Sequence, residues 1–69
     1  MHSQQTPIPL DQLGAPARRA LANAGYSTLE QLAGARESEL ADLHGMGPNA
    51  LEKLRRALSE HQLSFAGED

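Results

Sequence analysis

An internal repeat with an offset of 33 residues runs through this 69-residue chain. Five positions of the first copy are identical in the second; the pairs are Leu10 and Leu43, Gly14 and Gly47, Ala17 and Ala50, Leu21 and Leu54, and Ala24 and Ala57. Successive matched positions alternate between four and three residues apart, which is typical of one face of an α-helix. We therefore predict two copies of one unit, in which a short helix and a tight glycine turn precede a second helix.

The apolar side chains available for a core are mainly aliphatic. Eleven leucines and many alanines stand beside only one phenylalanine and one tyrosine. A chain of this length folds as one domain and buries only about 60% of the surface of its unfolded state. Because there is no cysteine, neither a disulfide nor a thiolate zinc site can stabilise the fold, and stability must come from packing.

The formal net charge of −3 at pH 7 comes from six basic and nine acidic residues. This balance argues against a strong electrostatic attraction to nucleic acid, which normally requires a basic excess. No stretch approaches the roughly 20 apolar residues needed to span a bilayer, and the first five residues lack the regions of a signal peptide. We expect a cytoplasmic protein with no membrane contact.

Glycine and proline positions predict where the helices begin and end. We expect an irregular, flexible arm at 1–9 that packs Ile8, a domain at 10–65, and a frayed tail at 66–69. Leu63 and Phe65 are expected to pack before the tail frays. The predicted helices within the domain cover residues 10–13, 16–24, 28–33, 37–43 and 47–61.

The segment Ser27-Thr28-Leu29-Glu30 predicts a capping box at the start of the third helix. In such a box the Ser27 side chain accepts a hydrogen bond from the third helical amide, and Glu30 reaches back. Gly25, before it, is the predicted left-handed cap of the preceding helix.

The segment Leu43-His44-Gly45-Met46-Gly47-Pro48-Asn49-Ala50 places two glycines around one methionine, directly before the last predicted helix. The first amides of a helix have no intrahelical partner, and a phosphate oxygen can accept their hydrogen bonds. We therefore predict an anion site at Gly45, Met46, Gly47, Asn49 and Ala50. A bulky side chain at Gly47 is expected both to block this site and to strain the turn. The alternative interpretation is that the hairpin glycines and Gly14 only provide positive φ angles at tight corners.

Basic residues supply the remaining candidates for anion binding. Arg18 and Arg19 follow Gly14 and have no acidic residue at helical spacing, so we predict a free positive patch there. Lys53 follows the hairpin on the last helix. Arg56 has Glu52 and Glu60 four residues away on either side, which favours an ordinary solvated face.

The hairpin segment resembles the helix-hairpin-helix motif, whose modules bind the DNA backbone without sequence preference. A wider pattern resembles the C-terminal domain of the bacterial RNA polymerase alpha subunit over about residues 10–65. Besides the hairpin, this pattern consists of Leu13-Gly14, Gly25-Tyr26-Ser27-Thr28-Leu29-Glu30-Gln31-Leu32 and Leu63-Ser64-Phe65. The resemblance implies an all-α, SAM-like fold. It would be a compact bundle of four to five short helices with two pseudo-repeated helix-hairpin-helix units.

The resemblance also implies weak binding. The polymerase domain places an arginine in the minor groove and an asparagine on a phosphate, where this chain has Pro16 and Arg19. The lysines usual after the second hairpin glycine are replaced by Pro48 and Asn49, whereas Gly47 matches. Each lost cation lowers the affinity for DNA, because affinity depends on the release of counterions.

Two classes of function remain open. The first is a stand-alone, monomeric module that binds DNA phosphates weakly and non-specifically through the hairpin, with help from Arg18, Arg19 and Lys53. The second is a protein-interaction module, an accessory factor of transcription or repair, because polymerase-type domains also dock activators and an acidic surface suits a protein partner.

We predict no enzymatic activity, and no cofactor, metal or small-molecule substrate. The histidines, His2, His44 and His61, are far apart in sequence, and no pair of carboxylates lies on an apolar face. His44 is expected to be a turn residue.

Overall fold

The structure, a computed structural model, describes residues 5–67. A 3₁₀ turn (Leu10–Gln12) precedes four α-helices, which are α1 (Ala15–Ala24), α2 (Leu29–Ala33), α3 (Glu37–Ala41) and α4 (Pro48–Glu60). Within residues 5–67 the only extended pairing consists of two isolated β-bridges. The predicted all-α class is therefore confirmed, and the helices form a compact domain.

Glycine and proline determine both ends of α1 and the start of α4 as predicted. α1 begins directly after Gly14 with Pro16 in its first turn, and it ends at Gly25, whose φ of 89° is left-handed. α4 begins at Pro48, and His61 is its C-cap. Proline suits the first turn of a helix because its missing N–H would have no intrahelical acceptor there, and glycine suits a left-handed cap because it has no Cβ.

α3 is shorter than predicted. It ends at Ala41 instead of Leu43, because the chain turns away after Asp42. The Leu43 N–H donates to the Leu40 carbonyl at 3.1 Å, and this tighter turn leads directly into the hairpin.

The N-cap of α2 is Thr28, so the prediction of a Ser27–Glu30 capping box was wrong by one residue. The Gln31 N–H donates to Thr28 Oγ1 at 3.2 Å, and Gln31 Oε1 accepts from the Thr28 N–H at 3.2 Å. Glu30 is not available for this role, because its Oε1 accepts a hydrogen bond from the Thr6 N–H at 2.8 Å. The cap is thus shifted by a partner more than twenty positions away in the sequence.

The core is a single cluster of aliphatic side chains and one phenylalanine. Its six fully buried members are Leu21, Leu29, Leu32, Leu40, Leu54 and Leu58. The repeat-related pair Leu21 and Leu54 is buried in both copies, but Leu10 is 41% exposed whereas its counterpart Leu43 packs against the core. The repeat therefore preserves the centre of each unit better than its first residue.

α4 supplies the longest apolar stripe and packs on both short helices. Leu54, Ala57 and Leu58 form its buried face, at the three- and four-residue spacing of an amphipathic helix. On the exposed side, an ion pair between Arg55 and Glu37 joins α4 to α3.

Segments before and after the helices pair with the middle of the chain. The Leu29 N–H donates to the Thr6 carbonyl at 2.8 Å, and Ile8 is buried as predicted. Phe65 is buried, and the Ala66 N–H donates to the Ala35 carbonyl at 2.8 Å. Residues 1–4 of the predicted arm and residues 68–69 of the predicted tail lie outside the described residues.

None of the helices described here has the length and hydrophobicity that a membrane-crossing helix needs.

Candidate nucleic-acid interface

The hairpin (residues 43–47) connects α3 to α4 through a compact turn. The Met46 N–H donates to the Leu43 carbonyl at 3.1 Å, and the half-buried Met46 and Leu43 side chains both pack against the core. These contacts fix the direction in which the chain enters α4.

Gly45 is required by the fold for two reasons. Its φ of 96° is one that residues with a side chain rarely adopt. A Cβ at this position would also lie 2.7 Å from the carbonyl oxygen of Pro16, which is too close for any real contact. The alternative interpretation of the hairpin glycines therefore holds for Gly45, which lets the turn pack directly on the first turn of α1.

Gly47 is in the opposite situation. Its φ of −107° and ψ of 174° are ordinary extended values, and a Cβ would meet nothing within 4 Å. Neither the backbone conformation nor the space around a Cβ therefore requires glycine at position 47. The missing side chain leaves open space in front of the first turn of α4.

Gly14 resembles Gly47 in both respects. Its φ is −71°, and a Cβ would make only an ordinary contact, 3.6 Å from Pro16 Cδ. Neither Gly14 nor Gly47 is thus explained by a need for a positive φ angle.

The first turns of α1 and α4 both have amides without acceptors. Neither N-cap has a side chain that accepts a hydrogen bond. Within residues 5–67, the amides of Asn49 and Ala50 in α4, and those of Ala15 and Ala17 in α1, donate to no protein group. Such amides, at the positive end of the helix dipole, can bind an anion.

Two contacts hold these helix starts beside each other. One is the packing of Gly45 on the Pro16 carbonyl. The other is a hydrogen bond from Lys53 Nζ to the Gln12 carbonyl, at 2.9 Å, just before Gly14. The predicted residues of the two repeat copies are therefore neighbours in space, with the Lys53 ammonium between the 3₁₀ turn and α4.

The two arginines of α1 differ in their surroundings. Arg18 Nη1 donates to the Leu13 carbonyl at 3.0 Å, and no acidic side chain pairs with it among residues 5–67. The bond to a neutral carbonyl leaves its charge uncompensated and holds it near the start of α1. Arg19 is exposed and has no polar partner in the described part of the chain.

The exposed face of α4 carries mixed charge. Arg56 lies 3.5 Å from Glu52, and both side chains are mostly exposed, so the pair contributes little to stability. Both residues line a shallow depression together with Asn49 and Lys53. A carboxylate therefore stands one helical turn from the hairpin, where it opposes the approach of an anion.

Two residues beside the hairpin, His44 and Asn23, lie together in a groove that was not predicted. His44, expected only to be a turn residue, lines a groove on α1 together with Arg19 and Asn23. The position of His44 next to Gly45 could have suggested that it lies near the hairpin. Nothing in the sequence could have suggested this for Asn23, because the groove forms only when the hairpin packs on α1.

Among residues 5–67, the one carboxyl group with a clearly shifted pKa is away from the hairpin. The hydrogen bond from the Thr6 N–H lowers the pKa of Glu30 below its ordinary value of 4.5. Among the described residues, no three His, Asp or Glu side chains are grouped so that they could hold a metal ion.

No protein-family profile matches the chain, and no curated protein matches it in sequence. What this surface binds is therefore inferred from the geometry of the hairpin and the residues around it.

Proposed function

We propose that this chain is a helix-hairpin-helix module that binds DNA backbone phosphates weakly and without sequence preference. The observation that best supports this is the contrast between the hairpin glycines. The fold requires glycine at position 45, whereas position 47 would accept a side chain and yet has none, directly in front of the free amides of Asn49 and Ala50. A phosphate needs this open approach, and a purely structural turn does not.

A second phosphate site at the start of α1 follows from the repeat. Gly14 and Gly47 are both extended N-caps, both are followed by a proline in the first helical turn, and both leave first-turn amides free. In this proposal the two repeat copies are pseudo-repeated helix-hairpin-helix units. The two units would hold phosphates of the two DNA strands, one unit on each side of a minor groove.

The proposed affinity is low, because few cations face this surface. Arg18, Arg19 and Lys53 are the basic residues near the helix starts, and the chain as a whole has a net charge of −3. The positive end of a helix dipole adds only about 0.3 to 1 kcal/mol at an exposed site. Binding should therefore be measurable at low salt and weak at physiological salt.

In this proposal the chain is a monomeric protein of the bacterial cytoplasm, and the resemblance to the polymerase alpha domain supports this.

Binding to a protein partner is the second candidate function, and the position of Glu52 favours it. Its carboxylate lies beside Asn49 and Lys53, so this part of the surface is of mixed charge. The Glu52 carboxylate repels a phosphate backbone, whereas a surface of mixed charge suits a protein interface with complementary charges. Glu52→Gln separates the two candidates, since it should strengthen binding to DNA and weaken binding to a partner that uses the carboxylate.

An amide-resolved NMR titration with a short generic DNA duplex tests the proposal. We expect shifts at residues 45–50 and 14–19 at low salt, and smaller shifts when salt is raised to physiological strength. No shift at low salt would contradict DNA binding and leave the protein partner as the better candidate.

Asn49→Asp tests the hairpin itself. It adds a negative charge beside the free amides, and we expect it to weaken DNA binding while the fold persists. Gln62→Glu is the matched control, because it adds the same charge after the far end of α4, about 20 Å away along a 13-residue helix. Equal loss of binding in both variants would show that only net charge matters and would contradict a hairpin site.

A further inference from the structure

A groove runs along the exposed side of α1, next to the hairpin. It has a volume of about 320 Å³ and is lined by Pro16, Arg19, Ala20, Asn23, His44 and Gly45. Beyond Asn23 it continues into a smaller depression of about 200 Å³, between Ala24 and Leu43. Neither depression includes an acidic side chain in its lining.

The groove combines small apolar residues with planar polar groups. Pro16, Ala20 and Gly45 are small and apolar. The guanidinium of Arg19, the amide of Asn23 and the imidazole of His44 are planar, and none of them has a polar partner within residues 5–67. Three unpaired planar groups are thus available to a ligand along one side of α1.

These groups match a nucleobase better than a phosphate alone. A phosphate would use Arg19 but would gain nothing from the apolar residues. Unpaired bases stack on imidazole and guanidinium planes, and an asparagine amide can both donate to and accept from a base edge. The groove is therefore suited to a flat, uncharged ring with polar edges.

The groove is continuous with the proposed phosphate sites. Gly45 belongs to the hairpin, and Pro16 lies in the first turn of α1, between the free amides of Ala15 and Ala17. When the phosphate of a nucleotide lies at the start of α1 or of α4, its base therefore lies near this groove.

We propose that the α1 groove binds an unpaired nucleobase of a strand whose phosphate is held at the start of α1 or of α4. This inference rests on the proposed function and narrows its substrate class to DNA with a single-stranded segment. A base within a duplex must be unpaired and unstacked before it can enter such a groove, and this cost disfavours intact duplex.

Fluorescence anisotropy at low salt, with a short single-stranded oligonucleotide and with the duplex formed from it, tests the inference. We expect tighter binding of the single strand. His44→Ala should lower single-strand affinity by roughly fivefold or more, the loss expected when one stacked base loses its platform, with little change in duplex affinity. His61→Ala is the matched control, because His61 is also exposed and lies at the opposite end of α4 from the hairpin.

Asn23→Ala provides a second variant that does not alter the hairpin. It should weaken single-strand binding in the same direction, and circular dichroism melts should show that both variants fold as the wild type does. Equal affinity for single strand and duplex, or equal effects of His44→Ala and His61→Ala, would overturn the base-binding inference.

Asn49→Asp separates this failure from failure of the proposed function. If Asn49→Asp weakens both DNA forms while His44→Ala and Asn23→Ala change neither, the phosphate site stands and the base groove is refuted. If no DNA form binds at low salt, both are refuted.

Discussion

Two glycines of the hairpin, only two residues apart, have opposite physical roles. Gly45 has a left-handed backbone and no room for a Cβ, so its identity is fixed by the fold. Gly47 has an extended backbone and open space, so the fold does not fix its identity. A substitution at each position therefore separates a stability effect from a binding effect.

Gly45→Ala should lower the free energy of unfolding by about 1 to 3 kcal/mol, the usual cost of a strained backbone conformation. The added methyl group would also force the Pro16 carbonyl to move. Gly47→Ala should change the free energy of unfolding by less than about 1 kcal/mol, as expected for a substitution that the local backbone accepts. Urea denaturation of both variants measures the difference, and similar losses would contradict the distinction drawn between the two glycines.

Glu30 gives the fold a dependence on pH. The Thr6 N–H lowers the pKa of Glu30 in the folded state, so the ionised carboxylate is favoured by folding. The stabilisation is present at pH values above the ordinary pKa of 4.5, and it is lost as the pH falls through the lower, folded-state value.

Glu30→Gln should therefore lower the melting temperature at neutral pH, because a neutral amide oxygen accepts a hydrogen bond more weakly than a carboxylate. The difference from the wild type should shrink as the pH falls below 4.5. Thermal melts over a pH series measure this, with Glu60→Gln as a control that removes an exposed carboxylate from α4. A difference that stays constant with pH would contradict the role of the Thr6 contact.

At the scale of the helices, local sequence chemistry predicts α1 and α4 well. Both ends of α1 and the start of α4 follow from Gly14, Gly25, Gly47 and the first-turn prolines, and these signals act within a few residues. The cap of α2 was predicted one residue too early. Thr28 and Gln31 form the box because Glu30 is held by Thr6, and the sequence around α2 contains no trace of that contact.

The shifted cap can be tested by two neighbouring substitutions. Thr28→Ala should lower the free energy of unfolding by about 0.5 to 2 kcal/mol, the usual cost of losing an N-cap side chain. Ser27→Ala should cost less, because Ser27 Oγ contacts only the Gln31 side chain, at 3.3 Å. Urea denaturation of the two variants compares them directly; a larger loss for Ser27→Ala would restore the original capping assignment.

The candidate site was predictable only where it depends on local sequence. The predicted anion-site residues within 45–50 follow from a local pattern of glycines, as does the start of α1. The packing of Gly45 on Pro16, the carbonyl partner of Arg18 and the groove at Asn23 do not, because each depends on how α1 lies against the hairpin. Tertiary contacts of this kind leave no periodic signal in the sequence.

At the scale of the whole molecule, the net charge of −3 disfavours DNA binding, so any attraction must come from local cations. The proposed surface carries three cations, Arg18, Arg19 and Lys53, so binding should release few counterions. The logarithm of the binding constant should fall with the logarithm of salt concentration with a slope of roughly −2 to −3, about −0.9 for each phosphate neutralised.

Lys53→Gln should make this salt slope shallower by about one unit, because it removes one phosphate contact. Arg36→Gln is the matched control: it removes the same charge from an exposed arginine beside Ala66 and Gly67, and should leave the slope unchanged. Anisotropy titrations at several salt concentrations give the slopes. The same change of slope in both variants would mean that Lys53 acts only through net charge.

The pairing of residues 6–8 and 65–66 with the middle of the chain has a topological consequence. The first segment is bound at the beginning of α2 and the second just after its end, and this five-residue helix is only about 8 Å long. A short peptide could thus join residue 66 to residue 6 without breaking a contact of the core. The described fold is therefore suited to circular permutation with new termini in the exposed turn at Asp42, or to insertion into a loop of another protein.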